Sequence, residues 1–242
     1  MDLHNPYLAK AAAMPEFVGM TVLDTVALVL PGVDDTLRRE MEAAGTPCPY
    51  RALGLLSSRT GAAGQIVAVD EAVKASGTHL VSLELPRDTK GWGGHGNYIV
   101  IGGHDVSDVR EAMTTALDLC RKHAGEVYIN EAGHLEFAFS ARGGEVLERA
   151  FGIPRGQAFG FFAGSPAAIG MVMADRAVKS ADIQPTCYMT PSVGTSHTNE
   201  VILAFTGETE AVRTAVLTAR EVGLSLLRAM GGEATGPSEP FL

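Results

Sequence analysis

The sequence predicts an α+β fold made twice over, with two similar units that each set a sheet against helices. Three observations carry this: the chain repeats itself internally, strand-like and helix-like periods alternate in the same order in both halves, and the composition suits two closely packed cores. With 242 residues, 46% of them hydrophobic and 28 of them glycine, each half is long enough to close a core of its own.

The repeat is read first, because it organises everything else. Val67 to Lys74 reads VAVDEAVK and Val172 to Lys179 reads VMADRAVK, so that Asp70 matches Asp175 and Lys74 matches Lys179, 105 positions on. Leu53-Gly54-Leu55-Leu56 is answered by Phe159-Gly160-Phe161-Phe162, and Ile99-Val100-Ile101 by Leu203-Ala204-Phe205. Asp108-Val109-Arg110-Glu111-Ala112 is echoed by Ala211-Val212-Arg213-Thr214-Ala215. The preserved order marks a duplication.

In the first copy the apolar run Ala52 to Leu56 predicts a strand, and Ile66 to Ala75 carries apolar residues at helical spacing. Leu80 to Leu85 and Tyr98 to Ile101 predict two more strands. Asp105 or Ser107 can cap a helix with Val109, Met113, Ala116, Leu117 and Cys120 on one face. In the second copy Thr209 can cap a helix offering Val212, Val216, Ala219, Leu226 and Leu227 for burial, and Gln184 to Met189 is strand-like. Each copy has a leader: Asp24 to Leu30 followed by a helix over Asp34 to Ala44, and a hairpin of Glu126 to Ile129 with His134 to Ser140 followed by a helix over Gly144 to Phe151. The two units are placed at 17–124 and 125–231, and the residues from Gly231 onward are expected to fray.

Charge and motifs exclude several functions. A net charge of −9 without any basic run argues against a nucleic-acid partner. The stretch Met1 to Glu16 lacks the basic start and apolar run of a secretion signal, and no stretch of about 20 apolar residues is present to span a membrane. Cys48, Cys120 and Cys187 are widely spaced, which fits a reducing cytoplasm. Neither they nor the seven histidines show metal-ligand spacing, so no metal and no cofactor is expected. Cys187 reads as a buried strand thiol. Gly91-Trp92-Gly93-Gly94-His95-Gly96 has GxGxxG spacing but opens a strand instead of the helix a pyrophosphate requires. Ser196-His197 has no third group to orient it as a nucleophile and base. No catalytic residue is assigned, and the chain is expected not to be an enzyme.

The lysine-bearing helix end Ala177-Val178-Lys179-Ser180-Ala181 resembles the hallmark of the bacterial microcompartment shell domain. Two copies, each with its terminal elements moved to the front, resemble the circularly permuted tandem shell proteins of that family, whose unit is a ferredoxin-like α/β sandwich. Further strings carry the likeness: Glu16 to Gly19, Glu84 to Gly91, Asn130 to His134 and Gly194 to Ser196. The resemblance implies a homotrimer of six-sided outline that tiles a shell in the cytoplasm beside other shell proteins, encloses enzymes, and lets small polar metabolites diffuse through pores. A soluble tandem ferredoxin-like oligomer that binds a metabolite as sensor or enzyme is the alternative, since fold alone does not fix function.

Residue by residue, the resemblance places Lys74 and Lys179 at the tile edge, although Lys74-Ala75-Ser76 departs from the family's Lys-Ser-Ala order. It places the loops Pro86 to Asn97 and Thr190 to Asn199 around the axial pore, with Lys90, Gly91, Gly93, Gly94, His95, Gly194, Thr195, Ser196 and His197 as lining residues. Backbone groups and hydroxyls there would replace part of a polar solute's water shell; ordinary hairpin loops are the alternative. A second channel between the two units is expected to be lined by Thr60, Glu84, Asn130 and Glu131, polar residues beside apolar strands. Glu84 could equally face solvent.

Overall fold

A computed structural model describes residues 10–11, 14–87, 95–124 and 126–236. Strands β1 (Phe17–Met20), β2 (Val26–Leu30), β3 (Ala52–Ser58), β4 (His79–Glu84) and β5 (Asn97–Gly103) form one sheet in the order β1-β2-β3-β5-β4. Strands β6 (Val127–Asn130), β7 (Gly133–Ser140), β8 (Phe159–Ser165), β9 (Ile183–Met189) and β10 (Val201–Gly207) form a second sheet in the order β6-β7-β8-β10-β9. All described pairings are antiparallel, and the two orders are the same, as a duplication requires.

Helix α1 (Asp35–Ala43) follows β2, α2 (Ala63–Lys74) follows β3, and α3 (Val106–His123) follows β5. Their counterparts are α4 (Glu145–Phe151), α5 (Ala167–Ser180) and α6 (Thr209–Gly231). In each unit the two longer helices lie side by side on one face of the sheet. The period that predicted α3 is the one it buries: Val109, Ala112, Met113, Ala116, Leu117 and Cys120. α6 buries Val212, Val216, Ala219 and Leu227, whereas Leu226 lies only half inside.

Two glycines in matching places show why small residues were kept. A Cβ on Gly54 would come within 2.8 Å of Met113, and one on Gly160 within 2.3 Å of the Phe205 ring. Such approaches are closer than packed carbons tolerate, so the central strand of each sheet needs glycine where side chains cross it.

Strand β1 pairs with β2 and gives the first unit the leading hairpin that its counterpart has in β6 and β7. Two sequence expectations are corrected. The N-cap of α6 is Glu208, not Thr209. Asp105 occupies the N-cap of α3 but makes no side-chain capping bond.

The other face of each sheet explains how the units meet. In the second sheet Phe159, Phe161, Ala163, Ile202 and Ala204 are buried in a cluster shared with Phe151 and Leu147 of α4 and with the α2 residues Ile66, Val67 and Val73 of the first unit. Helix α2 thus packs on two partners: its own α3, and α4 with β7 across the junction. Every residue of α2 from Ala63 to Val73 except Glu71 is buried.

Candidate functional site

The junction between the units holds two clusters of buried charges. Asp70 on α2 accepts hydrogen bonds from the backbone amides of Gly144 (2.8 Å), Val146 (3.0 Å) and Leu147 (3.2 Å) at the start of α4. A glycine at the N-cap cannot cap that helix itself, so a carboxylate from the other unit supplies the acceptor. Lys74, one turn later, stands 3.0 Å from Asp70 and donates to the carbonyl of Arg142 at 2.7 Å.

Helix α4 also closes an open sheet edge. Glu145 accepts the amide of Leu80 at 3.1 Å, and Arg149 donates to the carbonyls of Leu80 and Val81, the latter at 3.2 Å. These side chains occupy the outer hydrogen-bonding groups of edge strand β4, which would otherwise be free to pair with another chain.

A second cluster lies where the loops before β5 and β10 end. His95 of the first unit hydrogen-bonds through Nδ1 to Glu200 of the second, and His134 Nε2 lies 3.2 Å from the other Glu200 oxygen. His95 Nε2 stands 3.9 Å from Glu136, whose carboxylate accepts the amides of Ala62 (2.9 Å) and Ala63 (2.8 Å) at the start of α2. All four side chains are buried. Burial opposes a charge on His95, but Glu200 and Glu136 outweigh it and hold the imidazole above its ordinary value. Burial likewise opposes a charge on Glu200, yet His95 and His134 prevail and pull it down to about 2. The result is a buried cation between two carboxylates, stitching one unit to the other.

The residues expected from the sequence fall as follows. Lys90, Gly91, Gly93 and Gly94 lie outside the described residues. His95 sits inside the junction and is not on a loop surface, because Glu200 gives its charge a partner there. Thr195 is also buried, its hydroxyl donating to Thr190 O at 2.9 Å. Gly194, Ser196 and His197 are exposed. Ser196 and His197 adopt positive φ (50° and 64°), and Ser196 donates to Leu85 O at 3.4 Å, so the loops of the two units touch within one chain.

The four expected channel residues lie at or just beyond the ends of β3, β4 and β6. Asn130 is saturated: its amide nitrogen donates to Leu227 O (2.9 Å) and Gly232 O (2.8 Å), and its oxygen accepts from Ala132 (2.9 Å). It anchors the end of α6. Asn130 and Glu131 border a cleft of about 530 Å³ with Leu23 of the first unit and Gly231 and Thr235 of the tail. Thr60 is fixed through its backbone by Ser58 and Gln65, and Glu84 is exposed at the end of β4, opposite Tyr98. Among the described residues, no group of three or more His, Cys, Asp or Glu could hold a metal ion, and no helix is long and apolar enough to cross a membrane.

Lys74 and Lys179 differ despite their common origin. The Lys74 side chain is 35% exposed and bound into the junction, whereas Lys179 is 68% exposed and paired with Asp175 of its own helix at 2.7 Å. Asp34, Glu136 and Glu200 were not singled out from the sequence.

The model of the BMC domain matches this chain twice, over residues 52–132 and 158–231. The chain belongs to the BMC-domain family of bacterial microcompartment shell proteins. The shell protein PduB of Citrobacter freundii is 48% identical over 93% of this chain and 82% of its own length, and that of Limosilactobacillus reuteri is 45% identical over 95% of each. Among solved structures, a trimeric microcompartment shell protein PduB superposes with a TM-score of 0.90 at 44% identity, covering 95% of this chain and all of the other. EtuB from Clostridium kluyveri gives 0.89, also at 44%, over 95% and 99%. Family membership accounts for the paired sheets and bears out the expected shell-domain fold; a sensor or enzyme built on the same fold is not favoured.

Proposed function

We propose that three copies of this BMC-domain protein close head to tail into a ring of six units, and that this ring is a non-enzymatic wall tile of a microcompartment. One observation carries the proposal: the face of α2 that is buried inside the chain reappears uncovered on α5. Ile66, Val67 and Val73 are buried against the second unit, whereas their counterparts Met171, Val172 and Val178 are exposed, Met171 at 50% and Val172 at 42%. The receiving surface is uncovered too. Leu147, Phe151 and Phe161 are buried, while Leu37, Met41 and Leu55, which hold the same places in the first unit, are exposed or half-buried, Leu37 at 50%.

Each chain thus presents an uncovered α5 face on its second unit and an uncovered α1 and β3 face on its first. Joining the two by the rotation that relates the units inside the chain is a heterologous contact, which closes into a ring when the rotation permits. Two units per chain and a six-membered outline give three chains. Relatives named as shell proteins, one of them trimeric, support this reading. Small polar metabolites would pass by the exposed Gly194, Ser196 and His197 near the ring axis, with Lys90, Gly91, Gly93, Gly94 and the buried His95 and Thr195 shaping the same loops. Thr60, Glu84, Asn130 and Glu131 would belong to the walls between units, and other shell proteins and enclosed enzymes would be the partners, in the cytoplasm.

Val172→Asp tests the ring. Burying a valine contributes about 1.5–3 kcal/mol, the contact recurs three times, and an unpaired carboxylate there adds a desolvation cost. Sedimentation of the purified protein should show trimers of the 25.4 kDa chain for the wild type and monomers for the variant. A trimeric variant, or a monomeric wild type, would defeat the reading.

A further inference from the structure

The outer strands of the two sheets, β4 and β9, share one pattern but differ in what covers them. Each pairs with its neighbour in the same register: Leu80 faces Ile101 and Pro185 faces Phe205, and each ladder then skips one residue, Val81 or Thr186, before it resumes at Ser82 or Cys187. Leu80 and Val81 are buried, whereas Pro185 is exposed and Thr186 half-buried. The cover on β4 is α4, with Glu145 on the amide of Leu80 and Arg149 on the carbonyls of Leu80 and Val81.

The helix that matches α4 is α1. Aligned on their N-caps, Asp34 and Gly144, the two helices set Asp35 at the place of Glu145 and Arg39 at the place of Arg149. The acid in α1 is one methylene shorter and is paired with Arg38 of its own helix. The residue it would face on β9 is proline, which has no amide to donate. Both halves of the acid–amide bond have therefore changed together. The arginine is retained and exposed, its Nε on the carbonyl of Asp35 at 3.1 Å. Its acceptors in the template are backbone carbonyls, which Pro185 and Thr186 still carry. Joint loss of one bond and retention of the other is what two surfaces that meet would leave. Proline in an outer strand also hinders pairing with a strand of another chain, so these carbonyls stay available to a side-chain donor.

We propose that Arg39 is a clamp between protomers, its guanidinium donating to the carbonyls of Pro185 of the partner subunit and Thr186 of the partner subunit, so that α1 of one chain closes the outer strand of the next. The assignment rests on the ring described above.

The test uses the full-length chain and measures trimer dissociation by sedimentation across a dilution series, with thermal unfolding as the check on folding. Arg39→Ala removes the charge-assisted bonds and should weaken each contact about tenfold; because three contacts close the ring, the trimer-to-monomer constant should shift about a thousandfold. The acceptors are neutral, so the loss should persist in high salt. Arg39→Lys keeps the charge without the planar fork and should recover only part of it. Asp35→Glu combined with Pro185→Leu rebuilds the bond that Glu145 makes to Leu80. Together they should tighten the trimer about tenfold or more, while each alone should leave it unchanged or weaker, since one lacks the amide and the other the acceptor. Arg39→Ala trimers as tight as wild type overturn the clamp. So does a loss that salt erases or lysine fully restores, and so does a double variant no tighter than its single substitutions predict. A wild type that stays monomeric overturns the ring, and the clamp with it.

Discussion

Asp70→Ala is expected to destabilise the folded chain by roughly 3–5 kcal/mol, the range for removing one partner from a buried, charge-assisted network, and to lower the thermal midpoint by about 10 °C. The carboxylate is fully buried and binds three backbone amides and Lys74. Alanine leaves the start of α4 without an acceptor, since Gly144 has no side chain to offer. It also strands the Lys74 ammonium against the Arg142 carbonyl. The loss should appear as earlier unfolding by calorimetry.

The first unit suggests its own control. Asp34 caps α1 from within, so Gly144→Asp should do the same for α4 and return about 1–2 kcal/mol in the Asp70→Ala background. In the wild-type background the same substitution should destabilise, because a Cβ at Gly144 would stand 2.8 Å from Asp70 and bring a second carboxylate beside the first. A change of sign between backgrounds distinguishes a capping role from simple loss of packing. If Gly144→Asp lowers the midpoint equally in both, Asp70 is not acting as the cap.

Much of this architecture was legible in the residues. The repeat located both units, and the periods of α3 and α6 named their buried faces, because a helix on a sheet must present one apolar stripe every turn. Lys74 and Lys179 were correctly paired by position, yet their surroundings differ, since only one junction lies within the chain. That difference depends on what packs opposite, which no local pattern encodes. His95 shows the same limit. In sequence it is a polar residue ending a glycine-rich loop; in the fold a glutamate from the other unit takes it inside. Asn130 reads as a channel lining because it is polar beside apolar strands; the fold adds three hydrogen bonds that fix the end of α6, a role its own stretch of sequence does not show. A buried polar residue is informative only once its partners are known.

The His95–Glu200 pair should give stability a defined pH window. His95 is held above its ordinary value of 6.5, so its contribution is complete below about pH 6.5 and is lost as pH rises through the higher value of the folded state. Glu200 is pulled from 4.5 to about 2, so its contribution is complete above about pH 4.5 and is lost as pH falls toward 2. Both charges therefore support the junction fully between about pH 4.5 and 6.5. A shift of that size on Glu200 corresponds to about 3 kcal/mol. Urea denaturation from pH 3 to 9 should show the wild type losing stability above that window as His95 gives up its proton. Glu200→Gln removes the carboxylate that holds the proton on His95 and leaves burial to oppose it. The variant should be less stable by about 3 kcal/mol near pH 6 and should lose much of the dependence above that pH. His95→Gln should flatten the alkaline limb as well, because the group that titrates there is gone. Glu136 and His134 face the same pair, and they remain in both variants. If the alkaline fall survives in His95→Gln, another group titrates, and the histidine is neutral packing at the junction instead of its cation.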